Sequence, residues 1–469
     1  MSDLPVELVT EILSQGDEAI SRHPKRSNPE NPAQFQSVSS KDSVLPMPKL
    51  HVESVIEILS QGDEVVSRHP KRSNPENPSQ LPAVSSKDSV LPMPNLPVEL
   101  VTEILLRLPV KSLLQFRSVS KPWHFLISRP EFVKNHLLLS ASNKDYTHHR
   151  VMFKVASSAN YGIRDCSLSS LLHHPVTEAI DLDYPGKYPK DHRYPVIVGS
   201  VNGLICLSIS LFNGVQELYL WNPSIRKYNR LPNYRVHRPR GYCLEERRGK
   251  CNFGFGYDEL KDDYKVVGIF PVYKRMQLCR VEVHIYSLRS NSWRRINDSA
   301  LDFLHVSGKL VNRKLYWLQT CGNISSIDLG NEKWTEIEKP SNFKEYGHFV
   351  LGVLGSDLSV LCNYKNCHAD VWIMKECEVK ASWTKMLTIC AENDGMLHIR
   401  EPPFLVTNEG DILLEIGSHM AIYNPKDNSF RYLDVTNFAP YIEAGIYIKS
   451  LVCPFSHKGQ RMQNQRKFL

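Results

Sequence analysis

WNPSIRKYNRLP, residues 221–232, ends one apolar strand in a turn and opens the next strand on an aromatic side chain. The same arrangement returns as YSLRSNSW (286–293), DLGNEKW (328–334) and YNPKDNSF (423–430), and in a longer version that leads to Trp383. Each begins in a run that alternates apolar and polar residues, the period of a strand with one buried face. Each then passes through Pro, Ser, Asn, Gly or Asp, residues that suit tight turns. The pattern predicts a recurrent all-β unit.

Working outward from these turns groups the strands in fours. Pro195 to Pro232 contains VIVGSV, LICLSI, ELYLWN and YNRLP, and Asn252 to Ile296 contains NFGFGYD, YKVVGIF, VEVHIYSL and WRRI. Lys309 to Ile337, His348 to Thr388 and Phe404 to Val435 give three more such groups. Five four-stranded units with one recurrent aromatic position read as blades of a β-propeller. The strands left over, VMFKVAS near Val151, EAIDLDY and YIKSLVCP, are expected to form a sixth blade shared between both ends of the region. That closes the ring and removes its free edges. Six blades over residues 145–455 is the count, with seven left open.

The N-terminal part has a different period. LPVELVTEIL begins at Leu4 and again at Leu96, and a worn copy, LHVESVIEIL, begins at Leu50, so the repeat spacing is 46 residues. The first two copies run at once into polar sequence and a linker rich in Pro, Ser, Asn and Lys, which is expected to be disordered. A solenoid is disfavoured, because each unit offers about three turns of helix and nothing to stack against it.

The third copy continues into ILLRLPVKSLLQFRSVSKPWHFLIS. There Leu100, Val101, Ile104, Leu105 and Leu108 make one apolar stripe of a helix, with Pro97 expected in its first turn and Pro109 ending it. Leu113, Leu114, Phe116 and Val119 predict a second short helix. Ser120 is expected to cap a third, with Pro122 in its first turn and Trp123 and Leu126 facing inward. Three short helices can shield one another, whereas one alone is marginal in water. The expected organisation is therefore a duplicated, disordered segment (1–91), a small all-α module (92–136), the propeller (145–455) and a disordered basic tail (456–469).

At residues 96–127, LPVELVTEILLRLPVKSLLQFRSVSKPWHFLI resembles an F-box, the helical module that docks on a Skp-type adaptor in cullin-based ubiquitin ligases. The resemblance implies that Leu96, Pro97, Ile104, Leu105, Leu108, Pro109, Leu113, Val119 and Trp123 supply the adaptor surface or the packing that shapes it. For Leu105 and Val119, core packing and adaptor contact stay open. For Leu96 and Pro97, at the start of the first helix, adaptor contact is favoured.

The propeller region resembles the type 1 F-box-associated, kelch-like domain of plant F-box proteins. GSVNGLICL (199–207), WNPSIRKYNRLP (221–232), FGFGYDELKDDYKVV (253–267), VHIYSLRSNSWRRI (283–296) and VNRKLYWL (311–318) carry the likeness. The departure is Arg313-Lys314, where that family prefers small or apolar residues; a local surface change in a tight turn is expected. The resemblance implies a substrate receptor of an SCF-type ligase, nearest to defence-regulating members, with cullin and RING subunits reached through the adaptor. It also implies polyubiquitination, proteasomal degradation, and placement in cytoplasm and nucleus.

Composition restrains other readings. The chain has 469 residues, 42% hydrophobic and 23% charged, and a net charge of +7 with no concentrated basic face, so nucleic acid is not an expected partner. No signal peptide and no membrane span are expected, for want of an apolar run near the ~20 residues a bilayer needs. Eleven scattered cysteines suit reduced thiols better than a disulfide framework. FGFG (253–256) lacks the third glycine of a phosphate loop and leads into a strand, so its glycines are read as relieving crowding. Cys362, Cys367 and His368 lack a fourth zinc ligand at suitable spacing. No catalytic motif, metal or cofactor is called for.

The expected function is tethering a protein target for ubiquitination, without catalysis in this chain. An interaction scaffold outside a ligase and a carbohydrate- or nucleic-acid-binding propeller are the rivals. Target recognition is expected in the longer insertions, Asn233 to Cys251 and Tyr273 to Arg280, with Tyr242 and Tyr273 as candidate exposed anchors.

Overall fold

A computed structural model of the chain describes residues 97–456 apart from 157–160, 188–193, 211–215, 235–241, 244–250, 275–276, 297–306, 320–321, 340–347, 365–367, 376–381, 391–398, 400, 418 and 438–440. The two earlier repeat copies, Leu96, Cys367 and the tail beyond 456 lie outside the described residues. The chain divides into two compact units between Ile127 and Ser128.

Three short helices build the described part of the first unit: α1 (Val98–Leu106), α2 (Val110–Phe116) and α3 (Lys121–Ile127). Pro97 stands one position ahead of the first turn expected for it. It is the N-cap, with an extended backbone at ψ 140, and its carbonyl accepts from the Leu100 and Val101 amides at 3.0 and 3.2 Å. Pro109 occupies the same position before α2. Both prolines sit where a missing N–H does no harm and where ring closure has already set φ. Ser120 caps α3 as expected, its Oγ accepting from the Trp123 amide at 3.3 Å. Leu105, Leu106, Val110, Leu113, Phe116 and Ile127 are buried. The stripe predicted for α1 is thus displaced: Leu106 turns inward and Leu100 outward.

The second unit begins with a helix that the sequence reading did not foresee, α4 (Pro130–Ala141). Only Phe132, His136 and Ser140 of it are buried, one residue per turn, and two of those three are polar. Lys134 pairs with Asp262 at 3.1 Å, and Asn408 donates to the carbonyl of Lys144 just beyond the helix at 2.9 Å.

Most of the remainder is a closed ring of six blades, each built on four antiparallel strands, with one separate parallel pair between Val176–Glu178 and Asp434–Thr436. Blade 1 holds Tyr194–Val201, Leu204–Ser210, Gln216–Asn222 and Lys227–Arg230. Blade 2 holds Asn252–Asp258, Asp263–Lys274, Gln277–Ser287 and Ser292–Ile296, with the pair Tyr242–Cys243 added beside Tyr273 and Lys274. Blade 3 spans Lys309–Val311 to Trp334–Ile337, blade 4 His348–Leu354 to Trp383–Cys390, and blade 5 Leu405–Val406 to Ser429–Tyr432.

Blade 6 joins Tyr441–Ile448 from the far end to His149–Ala156, Tyr161–Ser167 and Ile180–Asp181 from the near end. The shared sixth blade is therefore present, with one correction. Its last strand is YIEAGIYI, so most of the predicted YIKSLVCP lies beyond the sheet. Those residues do different work. Asn222, fully buried, donates to the carbonyls of Ser450 and Val452 at 3.0 and 2.8 Å and so pins the departing chain to blade 1.

The recurrent aromatic turn has a geometric basis. Arg226, Asn291, Glu332 and Asn428 all lie at positive φ, between 52° and 63°, each two residues before Tyr228, Trp293, Trp334 or Phe430. A single left-handed residue reverses the chain tightly enough to return it beside the third strand. In blades 2 and 5 the third-strand tyrosine secures that residue: Tyr286 donates to Asn291 at 2.8 Å and Tyr423 to Asn428 at 2.6 Å.

Strand order places the first-to-second and third-to-fourth turns of blades 1 to 5 on one side, here the turn side. The second-to-third connections and the crossings between blades lie on the other. Asp262 and Asn408 belong to first-to-second turns of blades 2 and 5, which stand across a six-bladed ring from each other. The α4 segment therefore crosses the turn side of the propeller.

Candidate functional site

The helical unit presents apolar side chains where α1 begins. Pro97 is exposed, and Val98 and Leu100 are 60% and 41% exposed. Ile104 and Leu108 follow at half-buried positions along α1 and its exit, and Pro109 is exposed. Val119 and Trp123 are also half-buried, with Trp123 set edge-on to Phe116 at 5.2 Å between ring centres. Leu105 and Leu113, by contrast, are 1% and 0% exposed. Of the residues singled out in the sequence, these two are core, which decides the open question for Leu105.

Val98 and Phe125, the latter 63% exposed on α3, escaped the sequence reading. Their helical register was the available signal. Val98 directly follows Pro97, and Phe125 stands between the half-buried Trp123 and Leu126.

On the propeller, the expected anchor Tyr273 is corrected. It is 9% exposed and lies inside the twelve-residue strand Asp263–Lys274, not in a loop. The insertion proves to be a long hairpin, extended by the pairing of Tyr273 with Cys243 and of Lys274 with Tyr242. The Tyr242 side chain lies outside the described residues. The FGFG glycines behave as read: a Cβ on Gly254 would stand 2.6 Å from Trp317 Cζ2 of blade 3, and one on Gly256 would stand 2.8 Å from Leu310 Cδ1. Backbone of blade 2 thus lies directly against blade 3 side chains. Cys362 is buried in its strand, where burial pushes its thiol up, and His368 stacks on Tyr364 at 4.8 Å.

A trough of about 470 Å³ opens where blade 2 meets the end of blade 1. The buried Glu282 and His284 form its floor, and Trp293, Arg295, Pro232 and Asn233 belong to the rest of its lining. Glu282 is 1% exposed; its carboxylate accepts from Arg280 Nη2 at 2.6 Å and meets His284 Nε2 at 3.3 Å, with Arg295 Nη1 at 3.9 Å. Burial pushes the Glu282 carboxyl up, but bonds from His284 and Arg280 and the charges of Arg295 and Arg280 outweigh it and hold it below the usual range. A carboxylate so held stays ionised and gives the trough a fixed polar floor.

A small helical module with an apolar face, followed by a closed propeller, is the build of a modular binding protein. Residues 93–135 match the F-box domain and residues 150–457 the F-box associated beta propeller domain. The chain is 33% identical over 361 residues to the F-box/kelch-repeat protein At3g23880 of Arabidopsis thaliana, covering 75% of this chain and 93% of that protein. It is 32% identical over 311 residues to F-box protein CPR1 of the same plant, covering 61% of this chain and 70% of that protein. This chain belongs to the F-box proteins that carry an F-box-associated β-propeller. Its F-box implies binding to a Skp-type adaptor. Among the described residues, no helix is long and apolar enough to cross a membrane.

Proposed function

We propose that this chain is the substrate-recognition subunit of an SCF-type ubiquitin ligase, acting on its target by proximity alone. The observation that carries the reading is the pairing, on one chain, of an F-box with an exposed apolar helix start and a propeller fit for binding. Holding a target beside the ubiquitin-loaded end of a ligase raises the effective concentration of its lysines, so the receptor needs no chemistry of its own. The adaptor would bridge to cullin and RING subunits. Polyubiquitination, degradation by the proteasome, and residence in cytoplasm and nucleus follow from that role.

Adaptor co-purification tests it in three forms of the chain: full length, residues 92–469, and full length with Leu96→Ala and Pro97→Ala together. Capture that survives the truncation and collapses in the double variant supports the reading. Capture lost on removing residues 1–91 would give the earlier repeat copies a part in binding. Failure of the intact protein to capture adaptor would overturn the ligase role and favour a scaffold.

A further inference from the structure

Among the described residues, the two most exposed large apolar side chains are Leu260 at 73% and Leu138 at 66%. They come from distant parts of the sequence and are linked by a single ion pair, that of Lys134 on α4 with Asp262 at 3.1 Å. Leu138 lies four residues beyond Lys134, the next position along that face of the helix. Leu139 beside it is 46% exposed. Leu260 lies two residues before Asp262, in the turn between Asn252–Asp258 and Asp263–Lys274. These leucines therefore belong to the turn side of the propeller, which α4 crosses.

The backbone beneath them is fixed. Asp258 Oδ1 accepts from the amides of Leu260 and Lys261 at 3.2 and 3.3 Å, and Lys261 Nζ donates to the carbonyl of Gly330 in blade 3 at 2.7 Å. Buried Phe132, His136 and Ser140 seat α4, and Asn408 holds the Lys144 carbonyl just past it. Apolar side chains on a rigid backbone lose little freedom when a partner covers them. The exposed residues around them are polar or charged: Glu131 and Asn135 on α4, Glu259 and Lys261 in the turn. An apolar centre within a polar rim is the build of a protein interface.

The connection to the F-box points to the partner. Only Ser128 and Arg129 separate Ile127, the last residue of α3, from Pro130 at the start of α4. Three Cα–Cα steps span at most about 11 Å, so the chain alone holds a partner seated on α1–α3 beside the start of α4. The F-box match itself runs to residue 135 and so ends inside α4. Leu138 follows about 4.5 Å further along the helix axis.

We propose that the Skp-type adaptor makes a second contact on the turn side of the propeller, covering Leu138 and Leu139 of α4 and Leu260 of the blade 2 turn. The proposal rests on the substrate-receptor reading and adds an adaptor surface beyond the F-box. Through it the adaptor holds the propeller directly, and not only by the chain that leads to it.

Purified Skp-type adaptor is titrated onto the full-length chain and onto its Leu138→Asp, Leu260→Asp and Tyr228→Asp variants. A charge placed in an apolar contact is expected to weaken adaptor binding about tenfold at either leucine. Tyr228 is also exposed but lies on the outer strand of blade 1, and its variant should bind like the parent. All three positions are open to solvent, so the variants should stay folded, which melting temperature checks. In the parent, adaptor should slow hydrogen exchange over residues 137–141 and 259–262.

Parent-like affinity in both leucine variants, or no slowing of exchange at those residues, would overturn the proposal. Two further outcomes would do so by giving the leucines another cover. One is exchange at 137–141 that rises on removing residues 1–91 with no adaptor present; the other is self-association that Leu138→Asp abolishes. No capture by the unaltered chain would strike the ligase role as well, whereas capture that both leucine variants leave at full strength strikes the second contact alone.

Discussion

Trp293 Nε1 donates to the carbonyl of Pro232 at 2.7 Å, tying the fourth strand of blade 2 to the chain leaving blade 1. Trp383 repeats the bond two blades on, donating to the Glu338 carbonyl at 3.1 Å as the chain leaves blade 3. The recurrent aromatic of the turn motif is therefore more than wall packing. In these two blades it fastens each sheet to its predecessor, at a point where the preceding backbone has left its own ladder and needs a donor.

Replacing either indole by phenylalanine keeps most of the ring and removes the bond. Trp293→Phe and Trp383→Phe should each lower stability by about 1 kcal/mol. Urea unfolding of the propeller checks this. A loss close to zero would mean that water replaces the indole at the carbonyl.

Closure of the ring is a separate vulnerability. Asn222 holds Ser450 and Val452, while its Oδ1 accepts from the Ser224 amide at 2.9 Å. Asn222→Ala strips donors from a fully buried site and should cost about 2–3 kcal/mol. Gly203 faces the same segment at φ +78, where a Cβ would fall on Ser450 Oγ and within 2.5 Å of the Ile448 carbonyl. Gly203→Ala should release the same strand through sterics. Hydrogen exchange at residues 441–452 should rise in both variants; protection there equal to the parent's would sink the idea that these two residues latch the ring.

Much of this was readable because it is local. An αL turn residue and an aromatic two positions on are separated by a fixed, short stretch of chain, so the motif survives in one dimension. Blade 3 could be bounded to the residue for that reason. What escaped was non-local or polar. Helix α4 buries His136 and Ser140, which no hydrophobic pattern would pick out. The parallel pairing of Val176–Glu178 with Asp434–Thr436 joins segments from opposite ends of the propeller. Tyr273 looked like a loop residue because the strand that extends its sheet, Tyr242–Cys243, comes from a separate insertion.

The entry to the propeller should respond to pH. His148 is held down to about 4 from an ordinary 6.5, by burial first and then by the charges of His136, Lys449 and His149. His136 packs edge-on to it at 5.6 Å. A histidine kept neutral when folded binds fewer protons than when unfolded, so stability is full above the ordinary value and falls as pH drops from 6.5 towards 4. The slope contributed is at most about 1.4 kcal/mol per pH unit. His148→Gln should flatten that part of the profile; an unchanged slope between pH 6.5 and 4 would assign it to other groups.

The last prediction separates the two ways an F-box variant can lose its adaptor. Leu105 and Leu113 are buried to 1% and 0%, so truncating either to alanine should cost about 2–5 kcal/mol and unfold a unit this small. Leu100, at 41% exposure, has little packing to lose, and Leu100→Ala should leave the fold intact. Both kinds of variant are expected to capture less adaptor, for different reasons. Circular dichroism of the isolated variants and adaptor capture, measured together, tell them apart: Leu105→Ala and Leu113→Ala should lose helix signal and capture in parallel, while Leu100→Ala and the Leu96→Ala, Pro97→Ala pair should lose capture alone. If Leu100→Ala captured adaptor at full strength, the exposed start of α1 would not be the docking face, and Phe125 on α3 would become the residue to change next.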